Sequence, residues 1–440
     1  MARFLFGSLP LVGHVNPGLP IARKLVERGH EVWWYTGKRF QARVEATGAR
    51  YVPMQAAPDF DDRDLDAAFP GRRGLTGLAA FKWDIKHIFI DSILGQLRDF
   101  TAILQDFPAD VTVADSGFGG GGATYEKGGP PWAIYSISAL TVSSRDTAPF
   151  GLALPPNPSP IGRLRNRSLN WLFNQVLFRD VNAYTNQVRA SLGLPPIKGG
   201  LLDMAVSPFL LLQGTTPSFE YPRSDLPPTV HFVGPFLPDP PADFTPPLWW
   251  DDLQTDRPVV HVTQGTVATA ADDLLVPTLQ ALADEDILVV ATTGGAPVET
   301  ISIHPLPENA RLERFIPHAY LLPHVDVMVT NGGYNGVQIA LANGVPLVAG
   351  GRTEEKPEIC ARIAWAGVGI DLKSNRPSPA QIRSAVQQIL SKPQYRHKAR
   401  QMQAEFADHD GPAAAAKLLE QLAATKQPVL RTTEVWAERG

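Results

Sequence analysis

The sequence predicts an α/β protein of two doubly wound parallel sheets, and three observations carry that expectation. Short β-branched runs alternate with longer segments of helical period along most of the chain, the pattern of βαβ units. A chain of 440 residues holds two or three compact units. Its 41 prolines bunch in places, and the densest bunch, within residues 235–247, has almost no periodic apolar residues and divides the chain near its middle.

In the first half, residues 4–7 read as a strand, after which Asn16 caps a helix with Pro17 at its first position and Leu19, Ala22, Leu25 and Val26 on its buried face. Gly29 ends that helix, residues 32–36 form the next strand, and residues 111–114 form a later one that closes on Asp115. His14 then precedes a helix N-terminus, whose dipole disfavours imidazolium and leaves the ring able to take a proton. Asp115, at another strand end, is the acid that would orient it.

In the second half, residues 259–263, 288–292, 327–330 and 345–348 read as strands. The run from Val327 through Asn331-Gly332-Gly333-Tyr334-Asn335-Gly336 to Asn343-Gly344 is a strand, a glycine turn and a helix with a left-handed stop. Glycines there let a ligand approach the main chain, and a helix start favours an anionic group such as phosphate. The same turn would serve to pack helix on sheet, so the residues alone leave both roles open. A second turn, Gln264-Gly265-Thr266, follows the first strand of this half, and two such turns at strand ends of one sheet would face one crevice.

Composition excludes several classes. Lys plus Arg at 40 against Asp plus Glu at 44 gives a net charge of -4, without the basic excess of a nucleic-acid binder. The single cysteine, Cys360, supplies neither an intrachain disulfide nor a cysteine cage for zinc, and suits a reducing cytoplasm. No stretch reaches the roughly 18 uninterrupted apolar residues of a membrane span. The acidic run at 59–66 reads as a solvated loop, the histidines lack ligand spacing, and no metal site is expected. Residues 117–122 are glycine-rich after a strand, a weak dinucleotide fingerprint displaced from the first strand.

Together, Gly13-His14-x-x-Pro17, Phe315-Ile316-Pro317-His318, Asn331-Gly332-Gly333, Gly344-Val345-Pro346 and Glu355-Lys356 resemble the nucleotide-sugar glycosyltransferases of the GT-B fold, family 1, which includes macrolide, plant secondary-metabolite and sterol enzymes. The resemblance spans almost the whole chain. It implies two Rossmann-like domains facing a central cleft, and an inverting transfer from a nucleotide-diphosphate sugar, by default UDP-glucose, to an acceptor hydroxyl. No metal or other cofactor is implied, the UDP-sugar being a co-substrate. His14 matches the general base and Asp115 its partner acid. Phe315 falls where the nucleobase stacks and the Ile316 main chain where it is hydrogen-bonded. Gly265, Thr266, Asn331, Gly332, Gly333, Asn335 and Gly336 match the diphosphate-binding turns, and Glu355 and Lys356 stand where an acid-glutamine pair holds the sugar.

Three positions depart from the family pattern. Asn331 replaces a histidine, with an amide able to donate to phosphate. Ile339 stands where an acid binds ribose, with Gln338 beside it as a substitute. Lys356 replaces glutamine and brings a flexible cation. The implied domains are an acceptor domain 1–234, a linker 235–257, a donor domain 258–425 and a segment 426–440 returning to the first domain. The acceptor is expected to be bulky and apolar (polyketide, phenolic or terpenoid), met by loop aromatics including Phe60, Phe81, Trp83, Phe118 and Trp132. The competing readings are a non-catalytic nucleotide-sugar binder and a nicotinamide-dependent oxidoreductase using the turn at 117–122.

Overall fold

A computed structural model describes residues 1–241, 243–265 and 271–432 of the chain. They form two compact units, one of residues 1–150, 156–238 and 409 onward, the other of residues 151–155 and 239–408. Each contains one all-parallel sheet.

The first sheet has strands β1 (Arg3–Gly7), β2 (Glu31–Thr36), β3 (Arg50–Pro53), β4 (Val111–Asp115), β5 (Trp132–Tyr135), β6 (Leu210–Gln213) and β7 (Val230–Phe232). Their order is β3-β2-β1-β4-β5-β6-β7. The chain winds outward from β1 to β3, then crosses back to lay β4 against the other side of β1, with Phe4 opposite Val111 and Gly7 opposite Ala114. The second sheet repeats this plan with β8 (Val259–Thr263), β9 (Leu288–Thr292), β10 (Ala310–Glu313), β11 (Val327–Thr330), β12 (Leu347–Ala349) and β13 (Gly369–Asp371), ordered β10-β9-β8-β11-β12-β13. β1 and β4 flank the reversal of strand order in one sheet, and β8 and β11 in the other. Ligands of doubly wound sheets gather at the carboxyl ends of such strands.

Helices cover both faces, so the central strands are buried: Phe4, Leu5 and Phe6 in β1 and all five residues of β8, His261 and Thr263 among them, are shielded from water. The helix Gly18–Glu27 buries Ile21, Ala22 and Leu25 and ends at Gly29, whose φ of +83° makes the left-handed stop.

The boundaries differ from the expected ones in two places. The helix Gly411–Thr425, assigned by its sequence position to the second domain, belongs to the first unit, so the return begins at His409 and not at 426. Its alanine-rich face (Ala415, Ala416, Leu419, Leu422, Ala423) shares a core with Phe4, Ile21 and Leu25, and its Glu420 accepts hydrogen bonds from Arg28 at 2.7 Å. Conversely, residues 151–155 sit with the second unit, where the Glu358 carboxylate accepts from the Gly151 and Ala153 amides at 2.8 and 2.7 Å while paired with Arg362 at 2.7 Å. Among the described residues no helix is long and apolar enough to cross a membrane.

Candidate active site

In the first unit β1 delivers the chain to a one-turn helix, Val12–Val15, that carries His14, and β4 ends on Asp115 in the neighbouring position. The two side chains meet: His14 Nδ1 lies 2.8 Å from Asp115 Oδ1, with the His14 side chain 11% and that of Asp115 0% exposed. Asp115 is itself fixed by the Gly117 amide at 2.6 Å on Oδ1 and the Leu9 amide at 3.0 Å on Oδ2, and the Tyr135 hydroxyl donates to the His14 carbonyl at 2.8 Å. With the carboxylate accepting from Nδ1–H, the lone pair of the imidazole is on Nε2, the arrangement of a base held by an acid.

Two residues of this site escape a reading of the sequence. Phe89, on the π-helical stretch Ile85–Ile90, brings its ring centroid to 6.0 Å from that of His14. A Cβ added at Gly117 would lie 2.7 Å from His14 Cε1 and 3.1 Å from Asp115 Oδ1, so glycine there gives the pair its room. Only the unusual helix type marks the first, and the second shows in the sequence only as the first residue of the glycine-rich run at 117–122. The glycines after it serve packing: a Cβ at Gly120 would sit 2.7 Å from Gln96 Cβ, which accounts for the weak fingerprint at 117–122 without a dinucleotide.

The local setting of His14 differs from the expected helix start. Asn16 has helical backbone angles (φ -55°, ψ -42°), donates its N–H to the Val12 carbonyl as the C-cap of the helix Val12–Val15, and its Oδ1 accepts from Arg43 at 3.0 Å, so it does not cap the start of the next helix. The next helix begins at Gly18 behind Pro17. The dipole argument for His14 therefore falls away, and Asp115 carries its positioning.

In the second unit, β8 and β11 end in glycine turns: Gly265 has φ +89° and Gly332 φ +83°, and Gly333 is the N-cap of the helix Tyr334–Ala342. Asn331 ties the turns together. Its Nδ2 donates to the Gln264 carbonyl and its Oδ1 accepts from the Gly333 amide at 3.2 Å. Both amide atoms of this buried side chain thus make a bond inside the protein, so Asn331 shapes the two turns. The segment after β12 closes in as well, since a Cβ at Gly351 would come to 2.1 Å from the Asn331 carbonyl oxygen.

Gly333, Asn335 and Gly336 stay partly exposed along the first turn of that helix, the part whose N–H groups have no helical acceptors. Ile339 follows one turn later on the same partly exposed side, whereas Gln338 is buried and both its amide atoms lack a partner among the described residues. Gln338 therefore does not stand in for the ribose acid. Phe315, in the loop after β10, is 63% exposed, a free aromatic face, while Ile316 beside it is buried. Glu355 is the half-buried N-cap of the helix Lys356–Trp365. Lys356 is no flexible cation: it is buried, and although burial opposes its charge, Glu354 and Glu355 outweigh that and raise its pKa, with Glu354 in direct contact. Thr266 lies outside the described residues.

The aromatic residues expected at the acceptor divide. Trp132 and Phe118 are core: Trp132 is part of the main core with Phe6 and Trp34, and Phe118 packs on Phe100 at 5.1 Å and Tyr35 at 5.9 Å. Phe60 packs on Phe69 at 4.9 Å, Trp83 on His87 at 4.7 Å, and Phe81 on Phe178 at 6.2 Å. None of these contacts includes His14.

Beneath the second site, His261 of β8 is fully buried, with Nδ1 bonded to the Val290 carbonyl at 2.9 Å and its ring edge-on to His318 at 5.4 Å. Burial, then the His318 ring, hold its pKa down at about 3. The folded chain thus refuses a proton that the unfolded chain takes below its ordinary value of about 6.5. Stability is therefore intact above that value and falls as pH drops from it toward 3. The expected slope from this group is about 1.4 kcal/mol per pH unit. Melting midpoints of the wild type and His261→Asn between pH 7.5 and 4.5 check this: the variant's profile should be flatter, and parallel profiles would remove His261 as the cause.

Comparison with known proteins agrees with this geometry. Residues 276–422 match the family described as erythromycin biosynthesis protein CIII-like, C-terminal domain. The chain is 52% identical to 4'-demethylrebeccamycin synthase of Lentzea aerocolonigenes, over 96% of this chain and 99% of that protein. It is 36% identical to UDP-glycosyltransferase 2 of Phaeomoniella chlamydospora, over 96% and 95%. Among solved structures, the calicheamicin glycosyltransferase superposes with a TM-score of 0.72 at 23% identity, covering 97% of this chain and 100% of that one, a likeness of fold. Two parallel-sheet domains, each with its site at the reversal of strand order, together with these relatives, define a glycosyltransferase of the GT-B fold. The chain belongs to family 1 of those enzymes.

Proposed function

We propose that this glycosyltransferase moves a sugar, glucose from UDP-glucose in the first instance, onto a hydroxyl or equivalent X–H group of a bulky apolar natural product, with inversion at the anomeric carbon. The observation that carries this reading is the 2.8 Å contact between His14 and Asp115 at the switch point of the first sheet. His14 Nε2 takes the acceptor proton as the acceptor atom attacks, and Asp115 stabilises the imidazolium that forms. The new glycosidic bond forms on the face opposite the diphosphate, the old bond to phosphate breaks, and UDP leaves with the bonding pair.

The second unit supplies the donor contacts in this reading. The exposed Phe315 ring stacks on the base and the Ile316 main chain bonds to it. Asn335 and Gly336 offer first-turn amides to the diphosphate, preorganised for the charge that develops on the leaving group, and Gly333, whose own amide is held by Asn331 Oδ1, lets the main chain come close to it. Gly265 and Gly332 leave room for it, Thr266 adds its hydroxyl, and Glu355 takes sugar hydroxyls. No resident cofactor is needed, since a histidine base and fixed main-chain dipoles carry both charges. The single cysteine fits a cytoplasmic enzyme. The names of the relatives support the donor, among them UDP-glucosyltransferase A1 of Starmerella bombicola, 32% identical over 94% of this chain and 91% of that protein.

The test is incubation with UDP-glucose, UDP-galactose or dTDP-glucose and a panel of polycyclic aromatic, macrolide and terpenoid acceptors. The expected result is free nucleoside diphosphate only where acceptor is present, with a β-linked product from an α-linked donor by proton NMR. Diphosphate release that ignores the acceptor, or an α-linked product, refutes the reading.

A further inference from the structure

We propose that the helix Pro160–Leu172 and its π-helical continuation Phe173–Leu177 dock this enzyme on a bilayer surface that carries anionic phospholipid. The helix starts at Ser159, whose side chain accepts from the Gly162 amide, and it buries Gly162, Asn166 and Phe173 on one side. The other side is an apolar stripe left to water: Ile161 (82% exposed), Leu164, Trp171 (63%), Leu172 and Val176, spaced so that they follow one another along one face. Large side chains in such a row are what a partner surface removes from water.

The charge on this element says which surface. Residues 160–179 hold Arg163, Arg165, Arg167 and Arg179 and no Asp or Glu, in a chain whose net charge is -4. Beside the stripe opens a cleft of about 600 Å³ whose lining includes Arg145, Arg163, Arg167, Leu164 and Asn170, room for a phosphate headgroup next to an apolar side chain. Asp225 also lines the cleft and accepts from the Arg145 amide at 2.9 Å, and Arg163 is paired with Asp146 at 2.8 Å, so the lining cations that form no ion pair among the described residues are Arg145 and Arg167. Arginine-flanked apolar faces of this kind lie in the plane of a membrane interface, with the cations over anionic headgroups. A second copy seated face to face would set arginine against arginine, which disfavours self-association through the stripe.

Sedimentation with vesicles of phosphatidylglycerol and phosphatidylcholine, against vesicles of phosphatidylcholine alone, tests the proposal on the full chain. Binding to the anionic vesicles, weakening as salt rises, is the expected result. Arg167→Gln should lower the partition about fivefold. Ile161→Ser with Leu164→Ser should lower it about tenfold or more, since both side chains leave water on docking. Because all three side chains are exposed, the variants should keep the melting midpoint of the wild type, which separates lost docking from lost folding. Equal binding to both vesicle types, no binding, or partition unchanged in the variants overturns the proposal. So does a dimer in light scattering that the serine pair converts to monomer, which would assign the stripe to a second copy.

Discussion

Replacing His14 by alanine is expected to lower kcat about a thousandfold while leaving the affinity for UDP within about twofold. The asymmetry follows from where the groups sit. His14 and Asp115 belong to the first unit, at the ends of β1 and β4, and the residues proposed to hold the nucleotide belong to the second. Removing the base removes proton transfer from the acceptor and leaves the Phe315 ring and the turns at Gly265 and Gly332 untouched. Asp115→Asn should fall between: the ring keeps a hydrogen-bonding neighbour but loses the charge that steadies its cation. Turnover with the best acceptor and titration calorimetry with UDP are the measurements. Parallel loss of transfer and of UDP binding would remove His14 from the role of base.

Gly351→Ala should do the reverse, cutting UDP affinity at least about tenfold and destabilising the second unit by about 3 kcal/mol. The added methyl would stand 2.1 Å from the Asn331 carbonyl oxygen and 3.0 Å from Lys356 Cβ. Neither obstacle can yield cheaply. The Asn331 main chain is fixed by its own side chain, which spans the Gln264 carbonyl and the Gly333 amide, and Lys356 is buried against Glu354. Displacing Asn331 would move both glycine turns at once. Gly350→Ala is the control, because its nearest neighbour is the Ser374 carbonyl at 3.2 Å, and it should cost much less on both readouts. Matching affinities and melting midpoints for the two variants would mean that the Asn331 turn tolerates displacement.

Much of the fold was legible because its signals are local. The apolar runs that end at Thr263, Thr292 and Thr330 coincide with β8, β9 and β11, and Gly344 makes its left-handed stop with φ +68°. What stayed hidden depends on contacts across long separations. Nothing near residue 331 reveals that its amide reaches Gln264, and nothing near Lys356 weighs Glu354 against solvent. The helix Gly411–Thr425 has the period of any amphipathic helix, and only the core around Phe4 and Leu25, some four hundred residues earlier, decides which sheet receives it. Asn16 misled for a different reason: Asn followed by Pro is a good cap signal, but the chain had already turned helical at Val12.

The chain passes from one unit to the other at 150/151, 155/156, 238/239 and 408/409. Neither unit is therefore a continuous stretch of sequence, which bears on building hybrids with relatives. A graft cut once in the proline-rich middle would close the first sheet with the relative's tail helix in place of its own, setting a foreign face against Phe4, Ile21 and Leu25. It would also leave the Glu358 carboxylate facing a foreign loop in place of the Gly151 and Ala153 amides. Exchange of donor preference between relatives calls for transplanting the tail from His409 together with the amino-terminal half, and for keeping residues 151–155 matched to the sequence around Glu358.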